Sequence, residues 1–107
     1  MGKMARDENK VLVERIFEHV RNNLDSVTHR IPGECLFPDF DARDEKASKD
    51  AVRRLISVNS EMRGARGFQV VGLITKVEYF ENEGMFEIVL SRDADKVFEF
   101  CLGKGCG

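Results

Sequence analysis

An alternating pattern of apolar and polar residues near the C-terminus constrains the fold most strongly. The segment FQVVGLITKVEYF (68–80) is rich in β-branched and aromatic residues, and its second half alternates between two faces. The segment MFEIVL then places Phe86, Ile88 and Leu90 on one face. The residues between them, ENEG, are typical of a turn in which Gly84 can adopt a positive φ. The sequence therefore predicts one strand over 68–80 and an antiparallel hairpin with 85–90.

Three segments show the apolar spacing of amphipathic helices. The first is predicted over residues 8–24, with an apolar face of Leu12, Val13, Ile16, Phe17, Val20 and Leu24. The second is predicted from Glu45 or Ser48 to just before Gly64, with an apolar face of Ala51, Val52, Leu55, Val58 and Met62. The third follows a cap at Ser91 or Asp93 and ends before Gly103.

The segment 25–46 is the least regular part of the chain. Its residues ECLF (34–37) suit a short strand, and Phe37 and Phe40 are large enough that we expect them to cover the core. We expect a disordered N-terminus over 1–6, a single domain over 7–102 and a flexible tail over 103–107. Helices packed on an antiparallel β-hairpin make a small α+β domain of winged-helix-like arrangement.

The predicted second helix carries a polar and basic face. At 100° per residue, one side of it groups Lys46, Lys49, Arg53, Ser57 and Ser60. Further basic residues adjoin this face at Arg54, Arg63 and Arg66, and residues 43–66 carry seven basic and four acidic side chains. Such a face can contact the phosphates and base edges of DNA, although an ordinary solvent-exposed helix face has a similar composition.

The acidic residues after Phe80 oppose a role for the hairpin turn in binding phosphate. Glu81 and Glu83 lie in that turn, and Lys76 is the basic residue of the predicted wing. The turn itself should therefore stay away from DNA phosphates. An acidic turn and a basic helix are also compatible with self-association or with a protein partner.

The order of elements resembles a known family. Residues 48–102, through Val77-Glu78-Tyr79, Glu83-Gly84, the run FEIVLS (86–91) and the helix that follows, resemble the winged-helix domain of Rep-type plasmid replication initiators. The resemblance implies a DNA-binding domain linked to replication, or a dimerisation domain derived from one. It assigns Lys49, Arg53, Arg54 and Ser57 to the DNA-contacting helix.

Other site chemistries find little support. His29, Cys35, Cys101 and Cys106 do not have the spacing of a zinc clamp, and the odd cysteine count favours reduced thiols. The sequence contains no phosphate-binding glycine loop and no nucleophile elbow, so we expect no enzyme and no cofactor or metal.

The sequence leaves two functions open. The first is a small non-catalytic DNA-binding protein involved in replication or transcription control, with double-stranded DNA as its partner. The alternative is a protein-interaction or homodimerisation module of a small regulatory or phage-type protein, which would require an exposed apolar patch near Phe37, Phe40 or the hairpin edge. No signal segment or long apolar run is visible, which predicts a cytoplasmic protein without membrane contact. The net charge of −2 weighs only mildly against DNA, because a local basic patch matters more than the total.

Overall fold

Four α-helices and five strands lie in the part of the chain that the structure describes. The computed structural model describes the backbone of residues 2–102 and the side chains of residues 10–61 and 63–102. The helices are α1 (Gly2–Val20), α2 (Gly33–Leu36), α3 (Glu45–Ile56) and α4 (Ala94–Leu102). The strands are β1 (Thr28–Pro32), β2 (Asn59–Gly64), β3 (Gly67–Gly72), β4 (Ile74–Phe80) and β5 (Met85–Leu90). The predicted α+β class is confirmed.

Two separate antiparallel sheets organise the strands. One has three strands in the order β1-β5-β4, and the other is a two-stranded ribbon of β2 and β3. The predicted hairpin of β4 and β5 is confirmed, with Gly84 at φ 64° in its turn. The predicted single strand over 68–80 is wrong, because the chain leaves the ribbon after Gly72 and enters the other sheet at Ile74.

The hydrophobic core lies between the helices and the three-stranded sheet. Helix α1 contributes Leu12, Val13, Ile16 and Val20, α3 contributes Ala51 and Leu55, and the sheet contributes Ile31, Ile74, Phe86, Ile88 and Leu90. Phe37 and Phe40 pack against this core, as predicted, with their rings 6.1 and 5.4 Å from that of Phe86. The region before α3 therefore covers the core although it contains little regular structure.

Both ends of the predicted first helix and the predicted short strand differ from the structure. Helix α1 begins at Gly2 rather than at residue 8, and it ends at Val20, where a 3₁₀ turn over Arg21–Asn23 leaves Leu24 exposed. The residues ECLF do not form a strand: three of them belong to α2, and the strand of this region is β1. Met1 and residues 103–107 lie outside the described residues, so the domain division stays a prediction.

The predicted second helix is shorter than the sequence suggested. Helix α3 ends at Ile56, with Ser57 as its C-cap, and the chain then forms β2. Ser60 and Met62 therefore belong to a strand and not to the helix. This correction removes the last turn of the predicted basic helix and replaces it with a β-ribbon.

Candidate nucleic-acid interface

Helix α3 is positioned by a cap and by a buried face. The Asp44 side chain accepts hydrogen bonds from the backbone N–H groups of Lys46 and Ala47, at 3.0 and 3.2 Å. This arrangement satisfies two amide groups that the first helical turn would otherwise leave unpaired. Ala51 and Leu55 are buried. The opposite side of α3 is consequently fixed toward solvent.

The predicted basic positions on α3 are exposed. Lys46, Lys49, Arg53 and Arg54 all project into solvent, and so does the C-cap residue Ser57. The Ser57 hydroxyl donates a hydrogen bond to the Arg54 carbonyl at 3.0 Å. These side chains are available to a ligand of α3.

Acidic neighbours on the same helix partly neutralise these cations. The Lys49 Nζ lies 3.0 Å from a Glu45 carboxylate oxygen, and the Arg53 guanidinium lies 3.6 Å from an Asp50 carboxylate oxygen. All four side chains are more than half exposed, so these ion pairs are weak and screened by salt. Their cations can exchange a carboxylate for a phosphate at little cost.

Ser60 does not belong to the exposed face on which the sequence placed it. It is only 5% exposed, and its Oγ lies 2.8 Å from the Cys101 Sγ on α4. Successive residues of a strand point to opposite faces, so the side of β2 that carries Ser60 faces the protein body. Ser60 is therefore a structural residue of the ribbon base.

The β2–β3 ribbon carries the remaining predicted basic residues. Gly64 pairs with Gly67, so Ala65 and Arg66 alone form the turn at its end. Arg63 pairs across the ribbon with Phe68, and its guanidinium carbon lies 5.0 Å from the centre of the Phe68 ring. Arg63 and Arg66 are both exposed. The structure thus places these arginines at the end of a projecting ribbon rather than on the flank of a helix.

The outward face of this ribbon is unusually apolar for a solvent surface. Phe68 and Val70 are 69% and 64% exposed, and the strand pairing places Glu61 and Arg63 opposite them. The inward face carries Ser60 and Val71, and Val71 packs against the core. Sequence reasoning missed this ribbon, although the pattern RGARG, with two residues between two glycines, is typical of a tight hairpin turn.

The β4–β5 hairpin has the opposite charge. Glu81 and Glu83 in its turn are exposed, and the turn forms one wall of an open groove of about 560 Å³ beside Lys49 and Arg53 of α3. The Arg30 guanidinium of β1 forms ion pairs with Glu83 in this turn, at 3.4 Å, and with Glu87 of β5, at 3.1 Å. The groove is therefore of mixed charge, and its acidic wall is a poor place for phosphate.

The loop before α3 contains one carboxyl group with a shifted pKa. The backbone N–H of Arg43 donates a hydrogen bond to the Asp41 carboxylate at 2.9 Å, and the Arg43 side chain adds another at 3.4 Å. Both bonds favour the ionised form and lower the pKa of Asp41. This turn leads the chain into the Asp44 cap.

The described residues contain neither a metal-binding cluster nor a membrane-spanning helix. No group of three or more His, Cys, Asp or Glu side chains in that part of the chain is placed to hold a metal ion. Cys35 and Cys101 are partly buried free thiols, and Cys106 lies outside the described residues. None of the described helices has both the length and the apolar character needed to cross a bilayer.

A solved structure resembles this chain at low sequence identity. It is the crystal structure of the WH1 domain of MSBI1.176, a replication protein isolated from a multiple sclerosis patient. The two chains are 13% identical, the match covers 91% of this chain and 86% of the other, and the TM-score is 0.45. No protein-family model and no curated protein sequence matches the chain.

Proposed function

We propose that the protein binds double-stranded DNA, without catalysing a reaction, through α3 and the β2–β3 ribbon. The contacting side chains are Lys46, Lys49, Arg53, Arg54 and Ser57 on α3 together with Arg63 and Arg66 on the ribbon. We call this set the basic surface. A role in replication or transcription control is part of the proposal and follows from the resemblance of residues 48–102.

The uneven distribution of charge carries this proposal. Residues 45–72 contain six basic and three acidic side chains, whereas the rest of the chain contains eleven basic and sixteen acidic ones. This segment, with a positive surplus of three, also presents an exposed helix face and a projecting ribbon. A local field of this kind attracts a polyanion even when the whole protein is acidic.

The two elements suit duplex DNA in shape. The major groove of B-form DNA admits an α-helix such as α3, whereas the major groove of A-form RNA is too narrow for side chains to read. Only Ser57 and Val58 separate α3 from β2, so both elements can reach one duplex. In the proposed complex, arginine and lysine neutralise phosphates, and Ser57 donates a hydrogen bond to a neighbouring phosphate oxygen.

Fluorescence anisotropy of a labelled duplex at about 50 and 200 mM salt tests the proposal. We expect salt-dependent binding that weakens in the double variants Lys49→Glu/Arg53→Glu and Arg63→Glu/Arg66→Glu. Each lost phosphate contact should reduce the salt slope by about 0.9. Arg54 is left unchanged because its guanidinium also packs 5.2 Å from the Phe37 ring.

A matched control is Lys10→Glu/Arg21→Glu, which reverses two exposed charges on α1 and the turn after it. The control makes the same change in net charge but should bind DNA about as well as the wild type at equal salt. Absence of binding by the wild type at low salt would contradict the proposal, as would an equal loss in the control.

A second candidate function has one specific observation in its favour. Phe68 and Val70 form an exposed apolar patch on β3, and such a patch often marks a protein–protein contact. The patch does not lie at Phe37 and Phe40, which pack on the core. A homodimer or a protein partner would then contact the ribbon. Sedimentation velocity over a range of concentrations tests for the homodimer.

A further inference from the structure

We propose that Phe68 is an apolar wedge that inserts between stacked base pairs and kinks the DNA. In this arrangement the β2–β3 ribbon lies along the minor groove, and the Phe68 ring enters a base step from that side. The inference rests on the proposed function and adds to it a mode of binding. Proteins that kink DNA through the minor groove commonly use a bulky apolar side chain in this way.

The position of Phe68 is the first argument. Its side chain is 69% exposed on the outward face of the ribbon, while the inward face holds Ser60 and Val71 against the protein body. The Phe68 ring therefore contributes little buried apolar area to the core. Phe68 is continuous with Val70, which is 64% exposed, and a contiguous apolar patch of this kind is a candidate binding surface.

The rigidity of the ribbon is the second argument. The ribbon ends in a two-residue turn between Gly64 and Gly67. The base of the ribbon is tied to the body by the 2.8 Å contact of Ser60 with Cys101. A backbone hydrogen bond from Leu73 to the Val58 carbonyl, at 3.1 Å, adds to this attachment. A ribbon held in advance loses little conformational freedom on binding.

The charges around the ring favour DNA over a protein partner. Arg63 lies beside Phe68 on the same face, and Arg66 occupies the adjacent turn, so cations flank the wedge where the two phosphate backbones border a groove. Glu61 pairs with Val70 nearer the base of the ribbon. The end of the ribbon is thus the part that suits a polyanion, and the acidic base stays outside the groove.

The outward face of the β2–β3 ribbon suits duplex DNA better than a single strand. Proteins that bind single strands stack successive bases on several aromatic side chains. The described residues of the outward face include one aromatic ring, that of Phe68. One ring between two arginines fits a single base step better than a row of unpaired bases.

The test combines anisotropy with fluorescence energy transfer between dyes at the two ends of a duplex of about 30 base pairs. We expect the wild type to shorten the end-to-end distance, in line with a kink of at least about 20°. Phe68→Ala should abolish the shortening while affinity falls by no more than about tenfold and the salt slope stays the same, because the phosphate contacts remain.

Two controls sharpen this test. Phe100→Ala removes an equally large ring that is 58% exposed on α4, and it should change neither bending nor affinity. A duplex with one mismatched pair is easier to unstack, so the wild type should bind it more tightly than the matched duplex. Phe68→Ala should lose that preference.

The outcomes separate this inference from the proposed function. Salt-dependent binding without bending, unchanged in Phe68→Ala, would overturn the wedge and leave DNA binding intact. No binding by the wild type would overturn both. Self-association of the wild type that Phe68→Ala abolishes, with no effect of that variant on DNA bending, would assign the ring to a contact between two copies and overturn the wedge.

Discussion

The Oγ atom of Ser60 lies 2.8 Å from the Sγ atom of Cys101, and this contact joins the base of the β2–β3 ribbon to α4. Ser60 is buried although its sequence neighbours Asn59 and Glu61 are exposed. The alternation identifies this stretch as a strand. It also means that Ser57 and Ser60, which a continuous helix would place on one face, have different environments.

Arginine substitutions at these two serines should differ strongly in their effect on stability. Ser60→Arg introduces a charge into a buried site, and we expect the free energy of unfolding to fall by more than about 2 kcal/mol. Ser57→Arg adds a cation to an exposed position and should change stability by less than about 0.5 kcal/mol. Urea unfolding followed by circular dichroism measures both. Equal stability of the two variants would contradict the strand assignment at Ser60.

The limits of the helix prediction have a physical explanation in this region. Leu55, Val58 and Met62 follow helical spacing, but Val58 and Ser60 also follow the two-residue period of a strand. No glycine or proline between Ile56 and Gly64 marks the end of the helix. Packing of the ribbon against α4 therefore decides between helix and strand in the segment after Ile56. That packing cannot be read from a single sequence.

The elements that were predicted correctly have unambiguous local patterns. The β4–β5 hairpin has alternation on both strands and a glycine at its turn, and the buried residues of α4 repeat at helical spacing. The predicted strand over 68–80 was too long because Val71, Leu73 and Ile74 read as one apolar run across the break at Gly72. Of the candidate site, the exposed cations of α3 could be predicted from spacing, whereas the basic ribbon depended on the pairing of β2 with β3.

Substitution of Gly84 should destabilise the β4–β5 turn through the backbone alone. Its φ is 64°, and a Cβ atom there would meet no heavy atom within 4 Å, so an alanine would be strained but not crowded. We expect Gly84→Ala to lower the free energy of unfolding by about 1–2 kcal/mol, and Gly84→Asn to cost less. Thermal or urea unfolding measures the change.

Gly72→Ala provides the matched control for this position. The nearest atom to its added Cβ would be the Val58 carbonyl oxygen at 3.9 Å, an ordinary contact. Its effect should stay within about 0.5 kcal/mol. A cost at Gly72 equal to that at Gly84 would show that the positive φ is not the cause.

Removal of the α3 cap should weaken the helix that carries most of the basic surface. Asp44→Ala deletes the acceptor for two backbone N–H groups, and we expect a loss of about 1 kcal/mol in unfolding free energy. Asp39→Ala, in the same loop but outside the cap, is the control and should be nearly neutral. Hydrogen exchange of the Lys46 and Ala47 amides should accelerate in Asp44→Ala, and unchanged exchange would argue against the cap.

The stabilising contribution of the turn at Asp41 should depend measurably on pH. Because hydrogen bonds from Arg43 lower the Asp41 pKa below its ordinary value of 3.8, the folded state favours the ionised carboxylate. The stabilising contribution is therefore present above that ordinary value and is lost as the pH falls through the lowered pKa. Carboxyl NMR titration should show a midpoint for Asp41 below the ordinary value of 3.8.

The variant Arg43→Ala separates the two causes of this shift. It removes the side-chain bond but keeps the backbone N–H, which is the larger cause, so the Asp41 pKa should rise only part of the way. A full return to the ordinary value would assign the shift to the guanidinium instead.

The acidic turn of the β4–β5 hairpin should act against DNA binding by α3. Glu81 lines the groove beside Lys49 and Arg53, so a phosphate that approaches these cations also meets its carboxylate. Glu81→Lys should raise the affinity for duplex DNA roughly threefold at about 50 mM salt, with a smaller gain at 200 mM. Glu99→Lys makes the same charge change on an exposed face of α4 and should give a smaller gain. An equal gain in the two variants would mean that net charge, rather than the position of Glu81 next to the basic surface, governs affinity.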